Sequence, residues 1–334
     1  MKRIGIIGAG AWGTALAMVA RHAGRDVVIQ AREADVADAI NADHENPVYL
    51  PGVALDPAIR ATTDVAEAAA GADAVLLSVP SQFMRAAIGG LKGVLGDGVP
   101  AVICAKGIEQ ASHALMSEIV EDVLPATPVA VLSGPTFAAE VAADLPAAVT
   151  VACADADMAL RLSEALGTPR FRTYRSVDLI GAQLGGAVKN VLAIGCGIVE
   201  GRGLGDNAGA ALITRGLAEI VRLGTAKGAK AETLMGLCGI GDLVLTCNAM
   251  QSRNFSLGVG LGRGETLDQI LSARTSVAEG VSNASSVCEL AGTLNIEMPI
   301  CRAVDDILNH GADIDATIAG LLSRPIPVEA GDRP

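Results

Sequence analysis

The sequence predicts an α/β chain in two parts, a mostly parallel sheet covered by helices over residues 1–180 and an all-helical part over 181–334. Three observations carry this reading. Short β-branched runs alternate with helical stretches through the first half, the pattern of a parallel sheet with crossover helices. Past Asp178 the strand pattern stops and only helical periodicity remains. A glycine fingerprint, Gly8-Ala9-Gly10-Ala11-Trp12-Gly13, stands between the first strand and the first helix.

Taken in order, 3–7 reads as a strand, 13–23 as a helix closed by Gly24, and 26–31 as the second strand. Asp64 is placed to cap a helix over 65–70, its carboxylate accepting from free first-turn N–H groups. Strands follow over 74–79, stopped by Pro80, and over 101–105 and 129–132, with a helix at 114–124 between the last two. Strands at 146–153 and 170–174 complete the sheet, with a further helix between them. Helices are then expected over 179–199, 208–227, 255–261, 266–273, 285–294 and 300–309, separated by Gly- or Pro-containing turns. Residues 328–334 read as a loose tail.

Composition narrows the function. Of the 334 residues 51% are hydrophobic but only 2% aromatic, which suits closely packed helices and strands of small aliphatics. A net charge of -12 argues against non-specific nucleic-acid binding and against docking on an anionic membrane. An anionic substrate must then be held by a few local cations. Seven scattered cysteines with no C-x-x-C pair point to reduced, structural thiols in a cytoplasmic protein, and four isolated histidines argue against a zinc site. The uncharged run 4–20 after Met1-Lys2-Arg3 is broken by four glycines, so it reads as strand and loop, not as a leader. The apolar run 179–199 carries Gln183, Lys189 and Asn190 at its middle, unlike the roughly 20 unbroken apolar residues of a membrane span.

The fingerprint identifies a Rossmann-type dinucleotide site. Gly8 permits the tight turn, Gly10 lets a pyrophosphate approach the backbone, and Gly13 allows close helix–strand packing. The helix N-terminus supplies free N–H groups and positive potential. At the end of the second strand, Arg32 can pair with a 2′-phosphate or stand as a surface charge, and Glu33 keeps ribose hydroxyl recognition open. The expected cofactors are NADP(H) and/or NAD(H), with a lean to NADP(H). Further strand ends, VPSQ (79–82), Ala105-Lys106-Gly107 and Ser133-Gly134-Pro135-Thr136, gather on the edge where such sheets bind ligands.

Reducing a carbonyl requires a proton or a fixed positive charge for the developing alkoxide. His113 has no partner at a useful spacing and reads as a helix-start residue. Lys189 is the better candidate, because Gly185, Gly186, Leu192 and Ala193 share its helix face. Partial removal from water lowers a lysine pKa toward the range of proton transfer. The alternative is a snorkelling or salt-bridged lysine. Asn190 beside it can donate to a substrate or be an ordinary helix residue. Asp242 can orient a lysine or cap a helix. Ser252-Arg253-Asn254 precedes a helix, so it can bind phosphate there or simply cap it.

The runs GAGAWGTALA (8–17), VPSQ (79–82), AKGIE (105–109), SGPTFA (133–138), GAVKNVLAI (186–194), GLGDN (203–207), ALITRGL (211–217), GDLVLTC (241–247), QSRN (251–254) and VAEG (277–280) lie in order across nearly the whole chain. Together they resemble the bacterial NAD(P)-dependent glycerol-3-phosphate dehydrogenase family. The resemblance implies hydride transfer between NAD(P)H and dihydroxyacetone phosphate, giving sn-glycerol 3-phosphate for phospholipid synthesis in a cytoplasmic homodimer. It implies Lys189 as general acid/base, Lys106 polarising the carbonyl and contacting both ligands, and Asp242, Asn190 and Thr246 completing the catalytic network. Gly134, Thr136, Ser252, Arg253 and Asn254 would hold the substrate, the last two chiefly its phosphate. Ala11, Trp12, Arg32, Lys106, Ala138, Arg253, Val277 and Glu279 would join Gly8, Gly10 and Gly13 at the cofactor. Gly209 and Cys104 depart from the family pattern, and only a local salt bridge or helix start is affected at Gly209.

Two rival readings differ in chemistry. Another two-domain dehydrogenase, of hydroxyacid or ketopantoate type, would share the glycine loop but would not need Lys106, Lys189 and Ser252-Arg253-Asn254 together. A non-catalytic sensor of nicotinamide redox state would need no lysine in an apolar helix.

Overall fold

The computed structural model describes residues 1–273 and 278–325. The chain opens with β1 (Arg3–Ile7), α1 (Ala11–His22), β2 (Asp26–Gln30) and α2 (Ala34–Ala42). A small antiparallel hairpin, β3 (Glu45–Asn46) and β4 (Leu50–Ala54), follows, then β5 (Arg60–Thr62), α3 (Val65–Ala69), β6 (Ala74–Leu77) and α4 (Met84–Gly89). Next come β7 (Ala101–Ile103), α5 (Met116–Val123), β8 (Val129–Ser133), α6 (Ala138–Ala142), β9 (Ala147–Cys153), α7 (Ala156–Leu166) and β10 (Phe171–Ser176). Helices take over with α8 (Leu179–Gly201), α9 (Asp206–Lys227), α10 (Ala231–Leu234), α11 (Asp242–Cys247) and α12 (Arg253–Gly262). The last four are α13 (Leu267–Ser272), α14 (Glu279–Thr293), α15 (Pro299–Asn309) and α16 (Ile314–Leu322).

The eight-stranded sheet runs β10-β9-β8-β7-β6-β1-β2-β5 and is parallel at every pairing except β8 with β9. From β1 the chain builds outward through β2 and β5, then returns to lay β6, β7 and β8 on the other side. The reversal between β1 and β6 is the switch point of the sheet, and ligands of such sheets bind beyond the strand C-termini at that point. The α/β-then-helical order and the mostly parallel sheet match the sequence expectation. Asp64 caps α3 as expected, accepting from Ala66 N at 2.8 Å. The 328–334 tail and Val277 lie outside the described residues.

The differences have physical causes. β5, α6, α10 and α11 are three to six residues long and too short to show a full hydrophobic period. α14 begins at Glu279, six residues before the expected 285, because its early buried face is Gly280, Asn283 and Ser286. That face is small and polar and leaves no apolar stripe to read. His113 stands in the turn before α5 at φ 57°, with Nε2 at 2.6 Å from Glu289 Oε2.

α8 is the axis of the helical part. Asp178 starts it by accepting from Gly181 N at 2.9 Å, and the same carboxylate accepts from Lys230 N at 2.8 Å, where α10 begins. Among the described residues α8 is the one helix long and apolar enough to cross a membrane, and 94% of that apolar window is buried against other elements. Glycines let α12 cross it backbone to backbone. A Cβ on Gly197 would stand 2.8 Å from Gly258 Cα, and one on Gly258 would stand 2.1 Å from Ile194 O. Gly258→Ala is therefore expected to lower stability by about 1–3 kcal/mol, as overpacked cores do, read as an earlier urea midpoint. An unchanged midpoint would mean the helices slide apart at no cost.

Candidate active site

The site begins at the glycine loop. Gly8 has φ +103°, and a Cβ on Gly13 would stand 1.9 Å from Gly8 O, so turn and helix touch as only glycine allows. Among the described residues, no atom lies within 4 Å of where a Cβ on Gly10 would be. The first turn of α1 contains no acidic residue, leaving its positive end open to a pyrophosphate. Ala11 and Trp12 begin α1 and pack against the sheet core, with Trp12 Nε1 buried and without a partner among the described residues. Ala138 begins α6, which packs beside α1. Asn46 closes the loop from below, its Nδ2 donating to Ala9 O and Thr14 Oγ1, both at 2.8 Å.

Beyond β2, Arg32 projects with 81% of its side chain exposed, its Nε donating to Glu33 Oε1 at 2.9 Å. Tyr49 donates its hydroxyl to the same oxygen at 3.2 Å. Burial works to raise the Glu33 carboxyl pKa, but hydrogen bonds from Arg32, its own N–H and Tyr49 outweigh this and hold it below its ordinary value.

The centre of the site is a buried triplet. Lys106 lies just past β7, Lys189 projects from α8, and Asp242 is the first residue of α11. Lys106 Nζ donates to Asp242 Oδ2 at 2.7 Å, while Lys189 Nζ pairs with Asp242 Oδ1. The side chains of Asp242, Lys189 and Lys106 are 0%, 6% and 16% exposed. Lys189 also donates to Thr246 Oγ1 at 2.7 Å, and that hydroxyl donates back to Asp242 O at 2.7 Å. Lys106 reaches Gly134 O at 3.1 Å, an oxygen that also accepts from Thr136 Oγ1 at 3.3 Å. Asp242 thus orients both lysines and does not cap α11, which Gly241 precedes. Two cations share one carboxylate, so the dry pocket holds an excess positive charge.

Burial, more than that charge, sets the Lys189 pKa. Desolvation lowers it, Asp242 opposes the fall, Lys106 adds to it, and the group is left at about 8. The local chain is shaped for this contact. A π-helical turn, Leu237–Gly241, delivers Asp242, and a Cβ on Gly185 of α8 would stand 2.3 Å from Cys238 O. The glycine lets the turn lie directly on α8.

The opposite wall is the start of α12. Ser252 caps the helix, accepting from Phe255 N at 3.2 Å, Arg253 is exposed, and Asn254 is buried with Oδ1 accepting from Gly280 N at 3.0 Å. Asn190 is buried on α8, and a Cβ on Gly280 would stand 2.7 Å from its carbonyl oxygen. Glu279 accepts from Ser81 N at 3.4 Å. Burial raises its carboxyl pKa, with Arg253 acting in the opposite sense.

A family model described as the NAD-dependent glycerol-3-phosphate dehydrogenase N-terminus matches residues 3–159, and its C-terminal counterpart matches 178–319. The chain belongs to this family. A glycerol-3-phosphate dehydrogenase [NAD(P)+] from Rhodospirillum rubrum is 60% identical over 99% of this chain and 95% of its own length. That from Caulobacter vibrioides is 55% identical over 98% of this chain and 99% of its own. The crystal structure of glycerol-3-phosphate dehydrogenase from Coxiella burnetii superposes with a TM-score of 0.93 at 40% identity, covering 97% of this chain and 99% of that one.

Within this glycerol-3-phosphate dehydrogenase fold, Asn46 and Tyr49 touch the site without having stood among the sequence candidates, and Gln82, which the sequence offered only within the VPSQ strand end, takes a bracing role. Gln82 Nε2 donates to Ile108 O at 2.8 Å and its Oε1 accepts from Gln110 N at 2.9 Å, bracing the loop that carries Lys106. Its place at a strand end was the available signal. For Asn46 there was none, because a buried asparagine under a loop has no periodicity.

Proposed function

We propose that the protein reduces dihydroxyacetone phosphate to sn-glycerol 3-phosphate, and runs the reverse, using NADP(H) and/or NAD(H). The carrying observation is the Lys106–Asp242–Lys189 cluster, which stands past the end of β7 on the same sheet edge as the glycine loop past β1. The loop fits a dinucleotide, with Gly8 turning it, Gly13 closing it on the helix, and open space at Gly10 for a pyrophosphate. Ala11, Trp12, Arg32, Lys106, Ala138, Arg253, Val277 and Glu279 complete the cofactor contacts in this reading. A nicotinamide held there supplies the hydride.

Everything else is the work of the chain's own groups. Lys106 polarises the ketone oxygen as negative charge develops on it. Lys189 passes its proton to that oxygen and takes it back in the reverse direction. Asp242 fixes both ammonium groups, and Asn190 and Thr246 complete the network. Gly134, Thr136 and Ser252 hold the carbon skeleton, while Arg253 and Asn254 at the α12 N-terminus take the phosphate. In this reading residues 1–180 form the dinucleotide-binding part and 181–334 the helical part that brings Lys189, Asp242 and the phosphate ligands, with each part also lending residues to the other's ligand. Supply of glycerol 3-phosphate to phospholipid synthesis, a cytoplasmic location and a homodimer belong to the same reading.

The test is oxidation of NADPH and NADH by the purified protein with dihydroxyacetone phosphate against dihydroxyacetone. Rapid oxidation with the phosphorylated ketone alone is expected, together with a steep loss in Arg253→Ala. Activity unchanged in Arg253→Ala would point to another substrate. No oxidation by folded protein that binds NADPH would point to the sensor. Arg32→Ala is expected to raise the KM for NADPH by about tenfold or more, the value of one charge-assisted contact, and to leave that for NADH nearly unchanged. Equal effects on both cofactors would place Arg32 away from the 2′-phosphate.

A further inference from the structure

We propose that Asn283 is a positioning residue of this site, fixing the main chain of the Lys106 loop against α8 and so setting where the Lys106 ammonium stands. The proposal rests on the reading of Lys106 as the group that polarises the ketone.

Asn283 lies on α14 with 0% of its surface exposed, and its carboxamide meets three main-chain groups from two other elements. Its Nδ2 donates to Lys106 O at 3.3 Å and to Ala187 O at 3.4 Å, and its Oδ1 accepts from Ile108 N at 3.4 Å. Ala187 lies two residues before Lys189, so one side chain ties the main chains that carry both lysines. Each bond is long, and none alone would hold the loop. Their convergence on a side chain out of reach of water is what matters, because no solvent can replace a lost partner.

Packing around the loop supports the same role. A Cβ on Gly107 would stand 2.2 Å from Ser81 Oγ and 2.8 Å from Asn283 Oδ1, so the loop lies directly against the carboxamide. Gln82 braces the loop through Ile108 O and Gln110 N. On the α14 side, Glu279 accepts from Ser81 N, one turn before Asn283. The loop between β7 and α5 is therefore held by residues of the sheet and of the helical part together.

The chemistry selects asparagine. Two carbonyls require a donor and one N–H requires an acceptor, all within reach of a single short side chain. Aspartate keeps the acceptor but turns an oxygen toward two carbonyls. Leucine offers neither function. The competing account is that Asn283 only satisfies buried polar groups, in which case its loss would weaken the fold without acting through Lys106.

A double-mutant cycle separates the two. Asn283→Asp is expected to lower kcat/KM for dihydroxyacetone phosphate by about 10- to 100-fold, the effect of displacing a catalytic group by around 1 Å. In a Lys106→Met background the same substitution should change kcat/KM by less than about threefold, because the group it positions is already gone. Ser286→Ala serves as the control. Ser286 is equally buried on α14, but among the described residues its hydroxyl bonds only Ser282 O, so its loss should leave kcat/KM within about twofold. Should Asn283→Asp not fold, as judged by NADPH binding, Asn283→Ser is measured in the same cycle. Unchanged kcat/KM in the Asn283 variants, or equal losses in both backgrounds, would overturn the proposal. An unimpaired Lys106→Met would instead remove the reading of Lys106 itself, a distinguishable result.

Discussion

Lys189→Ala is expected to lower turnover of dihydroxyacetone phosphate by at least about 100-fold, as loss of a proton donor commonly does, while NADPH affinity stays within about twofold. The cause is the position of one nitrogen. Lys189 is held by Asp242 and by Thr246 Oγ1 at 2.7 Å, and burial brings its pKa to about 8. Ketone reduction requires the protonated amine, so its rate should fall as pH rises through about 8. Alcohol oxidation requires the neutral amine and should grow over the same range. The variant should lose both limbs. Steady-state rates across that range in the two directions, with NADPH binding followed by fluorescence, test this. Turnover retained within a factor of two, or a profile unaltered by the substitution, would rule Lys189 out as the acid/base.

The second large effect belongs to Asp242. Its carboxylate is fully buried between two ammonium groups, one oxygen to each. Asp242→Ala leaves two like charges facing each other with little solvent between them. Breaking a buried ion pair from one side costs about 3–5 kcal/mol, and that loss is expected in urea unfolding. The chain can relieve part of the strain by leaving Lys189 neutral. Its pKa then falls further, and any residual ketone reduction should move to lower pH. A loss of stability below about 1 kcal/mol would show that water already reaches the pair.

Some of this was legible in residue order. The strands expected at 3–7, 26–31 and 129–132 stand in the structure at Arg3–Ile7, Asp26–Gln30 and Val129–Ser133, because parallel strands buried on both faces appear as short β-branched runs. Lys189 was identifiable because a lone charge among Gly, Leu and Ala on one helix face needs an explanation. α11 and the early turns of α14 were not visible, being too short or too polar on their buried faces. Ser252 was open between phosphate ligand and helix cap. The structure shows the cap bond to Phe255 N at 3.2 Å, with Arg253 and Asn254 following in the first turn.

By itself the sequence determined the change from α/β to all-helical order, the glycine turn at 8–13 and the charge-poor helix around Lys189, because these follow from local periodicity and backbone freedom. Only the tertiary structure decided that Lys189 and Asp242, 53 positions apart, and Lys106 and Asp242, 136 apart, form one ion cluster. It also decided that Asn283 reaches across 177 positions to the Lys106 loop. Hydrogen bonds and ion pairs act over a few ångströms and are blind to distance along the chain. Their partners are chosen by where the close crossing of α8 and α12 and the π-helical turn before Asp242 bring the backbone.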